Sequence, residues 1–138
     1  MVHTTRIAVE TAGQGDAQDL TGELVRALAS AGLTAGTVTV FVVGSTAGIT
    51  TIEFEPGVVS DLDRALERVA PRHGEYRHHL RWGDDNGSSH VRAAIVGPSL
   101  TIPVVGGRMM LGRWQQVVLV ELDTSARRRE VVVQMLGD

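Results

Sequence analysis

The sequence predicts an α+β fold: a single domain over residues 1–138 with mostly antiparallel β-sheets, about seven strands and two or three helices. Three observations predict it. β-Branched runs such as "TVTVFVV" and "REVVVQML" recur along the chain. Two longer stretches carry Leu, Ala and Val at helical spacing. Gly, Pro and Asn punctuate the intervals, with no internal repeat, low-complexity tract or linker between them.

In chain order, "VHTTRIAVE" alternates with Ile7 and Val9 in phase and is expected as a strand. A helix is expected in "DAQDLTGELVRALASAG", with Asp16 as N-cap and Leu20, Leu24, Ala27, Leu28 and Ala31 on one stripe. Gly32 stands where a C′ glycine belongs. "TVTVFVV" (37–43) reads as a strand buried on at least one face, and "GSTAG" as a small-residue loop before strand character returns from Ile49 to Phe54. Ser60 is the expected cap of "DLDRALERVA", whose Leu62, Leu66 and Val69 line one side until Pro71 ends it. A polar loop follows, and Ser88 is the expected N-cap of "SHVRAAIVG", closed by Gly97-Pro98. "SLTIPV", a Gly106-Gly107 turn, "WQQVVLVELD" and "RREVVVQML" complete the order. The last two read as antiparallel partners, with Arg127 to Arg129 at a solvated hairpin end.

Composition narrows the chemistry. Hydrophobic residues at 43% and charged residues at 21% are ordinary globular values. Aromatics at 4% leave the core to Val, Leu, Ile and Ala. The net charge of −3 argues against nucleic acid as a partner. All thirteen basic residues are Arg, so Schiff-base chemistry and a phosphate-loop lysine are excluded. The absence of Cys excludes disulfides and thiolate ligands, so any metal site must use His, carboxylate, amide or water. The N-terminal segment lacks a signal-peptide pattern and no apolar run is long enough to span a bilayer, so no membrane partner and a cytoplasmic location are expected.

Three stretches hold candidate sites. "EYRHHLRWGDDNGSSHVRAA" (75–94) carries His78, His79 and His90 among Asp84, Asp85, Asn86 and Ser88. A calcium loop is excluded because Ser89 and Ile95 occupy the positions that need Gly and Glu. Imidazoles suit zinc-type ions, and His90 near a helix start favours its neutral form; a surface loop with turn-forming Asp85 and Asn86 explains the same spacing. "VGSTAGITT" (43–51) lacks the spacing and Lys of a Walker motif, yet Ser45, Thr46 and backbone N–H groups could cradle an anion, or simply permit a sharp reversal. Glu53 and Glu55 are expected on the following strand, facing one side. In "GGRMMLGRWQQ", Arg108 and Arg113 could bind phosphate and Trp114 could stack on a ring, while a Trp-Gln pair entering a strand also serves core packing.

In order from about Val38 to the C-terminus, "GSTAGITTIEFEPG", "YRHH", "DDNGSSHVRAAIVGPSLTIPVVGGRMMLGRWQQVVLVELD" and "RRREVVVQMLGD" resemble the YjbQ family, also called the secondary thiamine-phosphate synthase enzyme family. Tyr76, His78, Asn86, His90, Gly97 to Thr101 and Leu111 to Gln115 match its pattern, as does Glu53. The resemblance implies a homotrimer with polar sites near subunit boundaries. It implies a catalytic set of His78, His90, Glu53 and Asn86, with a divalent metal, Zn or Mg, on His78 and His90. Anion-binding candidates are Ser45, Thr46, Arg108, Arg113, Trp114 and Gln115. Many members carry His-Thr-Ser where this chain has Gly44-Ser45-Thr46, so either His79, Glu53 or a residue of a neighbouring subunit replaces the missing imidazole, or the chain holds no metal. The implied activity joins a pyrimidine diphosphate to a thiazole phosphate, hence a small phosphorylated ligand. A non-catalytic trimeric ligand-binding or scaffold protein is the alternative.

Overall fold

A computed structural model covering residues 1–138 contains β1 (Val2–Glu10), β2 (Ala17–Asp19), α1 (Thr21–Ala31), β3 (Ala35–Val42), β4 (Ala47–Ile52), α2 (Pro56–Val69), α3 (His78–Trp82), α4 (Gly87–Val96), β5 (Ser99–Val105), β6 (Arg108–Met109), β7 (Gln116–Glu121) and β8 (Arg128–Gly137). The α+β expectation holds, with eight strands rather than seven and a fourth, short helix. All pairings are antiparallel, in a five-stranded sheet ordered β1-β8-β3-β5-β6 and a three-stranded sheet ordered β2-β7-β4.

Strand periodicity explains how the layers meet. Val38, Val40 and Val42 of β3 and Val131, Val133 and Met135 of β8 share a core with Ile49 of β4 and with Val117 and Leu119 of β7. The two sheets therefore pack face to face, with Leu24 and Leu28 of α1 joining the same core. The opposite face of the three-stranded sheet presents Val118 and Val120, covered by Leu66 of α2 and Ala93 of α4. β7 is buried on both faces, which is why "VVLV" runs apolar without alternation. Burying each such Val or Leu contributes roughly 1.5–3 kcal/mol, so β7 anchors both halves of the core.

Several sequence expectations change. β7 and β8 are not partners: β8 inserts between β1 and β3, and β7 lies in the other sheet. The alternation of β8 and the continuous run of β7 were the signatures of two different environments. Asp16 does not cap α1; its carboxylate accepts from the Ala12 N–H and from Gln18, and a short strand intervenes before the helix. Gly32 does close α1 in the left-handed conformation. Ser60 lies inside α2, whose cap is Glu55, accepting from the N–H groups of Gly57 and Val58. Those two N–H groups hold the Glu55 carboxyl below the usual range. Glu53 and Glu55 both lie beyond the end of β4, and Val69 is exposed rather than packed. Residues 78–82 form α3 where a loop was expected. Ser88 is not the cap of α4 but a buried residue within its first turn.

Candidate functional site

One end of the sandwich gathers the β3–β4 loop (43–46), the β7–β8 loop (122–127), α3 and the start of α4. Asn86 ties the start of α4 to the β7–β8 loop. Its Oδ1 accepts from the Ser89 hydroxyl at 2.9 Å and from the Thr124 N–H and hydroxyl, each at 3.2 Å. Gly87 allows the next contact: a Cβ there would stand 2.5 Å from Tyr76 Cβ and 2.9 Å from His79 Nε2. Without it, the Gly87 N–H donates to His79 Nε2 at 3.2 Å, and Tyr76 is fixed by its hydroxyl donating to the Pro71 carbonyl at 2.6 Å. A histidine thus takes the part of the helix cap that the sequence assigned to Ser88.

The three imidazoles then have different duties. His79 Nε2 accepts a backbone N–H, so that nitrogen carries no proton and its 3.7 Å approach to Asp85 is not an ion pair. His90 Nδ1 lies 3.2 Å from the Ser45 carbonyl, which can only accept, so the proton sits on Nδ1 and the Nε2 lone pair is free in the neutral ring. His78 packs against His90 with ring centroids 4.6 Å apart. Its Nδ1 is shielded from solvent and lies 3.3 Å from Asp84 Oδ1, outside hydrogen-bonding geometry, so it has no partner. His90 lines an open cleft of about 330 Å³ with Gly44, Ser45, Ala93 and Pro98, at the small end of the range for small-molecule pockets. A larger groove of about 560 Å³ on the outer side of residues 74–80 has only His79 of this group on its wall.

Behind the β3–β4 loop stands a residue that the sequence reading misplaced. Arg129 is not at a solvated end: its side chain is 8% exposed and paired with Glu121, which is fully buried. Arg129 Nε donates to Glu121 Oε2 at 2.7 Å, and Nη2 donates to Glu121 Oε1 and to the Thr46 hydroxyl. The Thr46 hydroxyl in turn donates to Asp123 Oδ2 at 2.9 Å. Burial pushes the Asp123 carboxyl up, but the Ser125 N–H, the Thr46 hydroxyl and Arg127 outweigh it and hold the group below its ordinary value. Strand parity carried the signal for Arg129, which shares its face of β8 with Val131, Val133 and Met135.

α4 is docked by a second buried arginine. Arg92 is fully buried; Nε donates to the Ala70 carbonyl, Nη2 pairs with Glu67, and Nη1 lies 3.6 Å from Asp63. Burial pushes Glu67 up, but the Arg72 N–H and the guanidinium groups of Arg92 and Arg72 outweigh it and lower its pKa.

The remaining expected residues lie at the other end. Five residue steps along β4 lead from Ala47, beside the cleft, to Ile52, a span of roughly 17 Å at strand rise, and exposed Glu53 lies beyond it. Gln115 reaches Thr51 there, donating from Nε2 at 3.1 Å, and the Arg113 guanidinium sits 4.8 Å from the ring centroid of exposed Trp114. Arg108 begins β6, paired with the far end of β5, six residues or roughly 20 Å from Ser99. The structure therefore brings together His78, His79, Asn86, His90, Ser45 and Thr46. It does not bring Glu53, Arg108, Arg113, Trp114 or Gln115 to them within one chain.

The metal expectation meets an incomplete donor set. No three His, Asp or Glu side chains are grouped closely enough to hold a metal ion, and His79 Nε2 is already engaged. A mononuclear catalytic site needs about three protein donors, so one chain does not fit the ion.

The comparisons with known proteins agree on one family. The family described as "UPF0047 protein YjbQ-like" matches residues 5–138. A UPF0047 protein of Methanothermobacter thermautotrophicus is 35% identical over 136 residues, covering 99% of this chain and 93% of that protein. A UPF0047 protein of Mycobacterium tuberculosis is 44% identical over 97 residues, covering 70% and 71% respectively. The crystal structure of a YbjQ-like protein of Sulfolobus solfataricus superposes with a TM-score of 0.95 at 31% identity, covering 100% of this chain and 99% of that one.

Proposed function

The chain belongs to the YjbQ-like UPF0047 family, and on that premise we propose that it is a cytoplasmic, homotrimeric enzyme whose His78–His90 cleft acts on a small phosphorylated substrate. One observation carries this reading: His90, on the wall of the cleft, is held through Nδ1 by the Ser45 carbonyl, leaving Nε2 uncommitted, and the His78 ring packs against it. Such a nitrogen can accept or deliver a proton at bound substrate, because its tautomer is fixed by the opposite bond. The reaction class is the one the family resemblance implies, a thiamine-phosphate-synthase type of transfer in which diphosphate leaves. A divalent ion, Zn or Mg, enters this reading only with a third donor. Glu53 of another copy, at the far end of β4, is the carboxylate to supply one across a subunit boundary.

The test is rescue of a thiamine-auxotrophic host, alongside metal analysis of protein purified without a histidine tag. Rescue by the wild type and loss of rescue in His90→Gln and His78→Ala is the expected result. Equal rescue by all three removes the enzyme reading. Metal that disappears in Glu53→Gln places the third donor across subunits; metal retained in that variant removes Glu53 from the set.

A second reading, a non-catalytic trimeric scaffold or ligand carrier, is favoured by one observation. The Asn86 carbonyl oxygen, expected in the catalytic set, is spent on three hydrogen bonds that hold loops together.

A further inference from the structure

We propose that the Gly44–Thr46 loop and the guanidinium of Arg129 form a phosphate-binding subsite on the His90 cleft. The proposal rests on the reading of that cleft as a substrate site and names the group it takes.

The donors are left over after the protein's own needs are met. A guanidinium has five N–H groups. Arg129 commits Nε and both positions of Nη2, to Glu121 and Thr46, and Nη1 makes no hydrogen bond. Glu121 therefore fixes the fork and offsets its charge without consuming its outer edge. That edge points at a residue with no side chain: a Cβ on Gly44 would stand 2.7 Å from Arg129 Nη1. Gly44 also has φ +137, a conformation that disfavours any other residue. The N–H groups of Gly44, Ser45 and Thr46 donate to no acceptor in the chain. Consecutive free N–H groups beside a guanidinium are the recurring chemistry of an oxyanion cradle, and the wrong chemistry for a cation.

The same three residues join this cradle to the imidazole. Gly44 abuts Arg129, the Ser45 carbonyl holds His90, and the Thr46 hydroxyl accepts from Arg129. Gly44, Ser45 and His90 line one cleft, so a phosphate seated on the loop would place the rest of its molecule toward His90 Nε2. Any side chain at position 44 would crowd Arg129 Nη1 in this backbone. Glycine there leaves the unbonded guanidinium edge beside the loop, while Arg108 and Arg113 lie at the other end of the sandwich.

The test is titration of ¹⁵N-labelled full-length protein with inorganic phosphate. The amides of Gly44, Ser45 and Thr46 and the Arg129 guanidinium should shift together and saturate with one dissociation constant. Gly44→Ala, checked as folded by its amide spectrum, should bind phosphate about tenfold or more weakly, because the methyl group crowds Nη1. His90→Gln should retain phosphate binding within about threefold. Absence of shifts in the loop at phosphate up to about 10 mM, equal shifts with chloride, or full affinity in folded Gly44→Ala would each overturn the subsite. Phosphate binding in a protein that fails the rescue assay upholds the subsite and removes the enzyme reading. Histidine-dependent rescue without phosphate binding at the loop does the reverse.

Discussion

The two ends of this sandwich handle their arginines in opposite ways. At the cleft end, Arg129 is withdrawn between the sheets, held by Glu121 and Thr46, and linked onward to Asp123. At the other end, Arg113 lies in the open against exposed Trp114, and Arg108 is exposed on a two-residue edge strand. In sequence only the far end sets Arg beside a Gly-rich stretch, because Arg129 lies far along the chain from Gly44. Burial separates them: a withdrawn guanidinium has a fixed direction, so its remaining N–H groups form a site. A solvated one has no fixed direction until something docks on it.

The largest expected effect tests that difference directly. Arg129→Met leaves the Glu121 carboxylate buried without its partner and should cost about 3–5 kcal/mol in urea unfolding. Arg113→Ala should change stability by less than about 0.5 kcal/mol. Adding Glu121→Leu to Arg129→Met should restore most of the loss, since the penalty belongs to the orphaned charge. Equal losses in Arg129→Met and Arg113→Ala would erase the contrast.

Next comes the joint between α3 and α4. Gly87→Ala drives a methyl group into Tyr76 and His79, so the helix start must move; overpacking of this kind costs about 1–3 kcal/mol. The His90 tautomer depends on where α4 places it against Ser45, so the same variant should lower activity more than its stability loss explains. Thermal unfolding beside the rescue assay separates the two.

How far the sequence could be read follows from the same geometry. Period and parity are local, and they marked the six longer strands, the α1 stripe and the end of α2, but neither β2 nor β6. Partner choice is not local. The double burial of β7 depends on helices α2 and α4, drawn from distant segments, so its pairing with β8 was the natural misreading. His78, Asn86 and His90 were singled out by resemblance, and the structure brings them together. Arg129 was legible through its phase with Val131 and Val133, but a run of three arginines masked the alternation. Ser88 and His79 exchanged the capping role because Gly87 lets a side chain from α3 approach, which no spacing rule anticipates.

Acid should act through the carboxyls whose folded values are lowered, Asp123 at the cleft end and Glu67 at the helix dock among them. Asp123 and Glu67 have folded values below their ordinary 3.8 and 4.5. As pH falls, the unfolded chain takes up these protons first, so the native state loses stability. Their contribution is complete above the ordinary value of 4.5 and disappears as pH passes through the lowered folded values. Asp123→Asn should lower stability at neutral pH and flatten the acid limb of the stability profile. An unchanged limb would show that Asp123 is not among the groups that set it.

The smallest effect on the isolated chain is expected at Trp114, and it sharpens the comparison most. Trp114 is 64% exposed, so Trp114→Ala should alter the stability of dilute, dissociated protein by less than about 0.5 kcal/mol. If the far end is a subunit boundary, assembly covers that ring, and the cost appears only where protein concentration favours the oligomer. Unfolding temperature should then rise with concentration in the wild type and rise less steeply in Trp114→Ala, with sedimentation reporting the oligomer. Identical slopes would leave the exposed Arg113–Trp114 stack outside any subunit contact, and Glu53 beyond reach of the His78–His90 cleft of a neighbour.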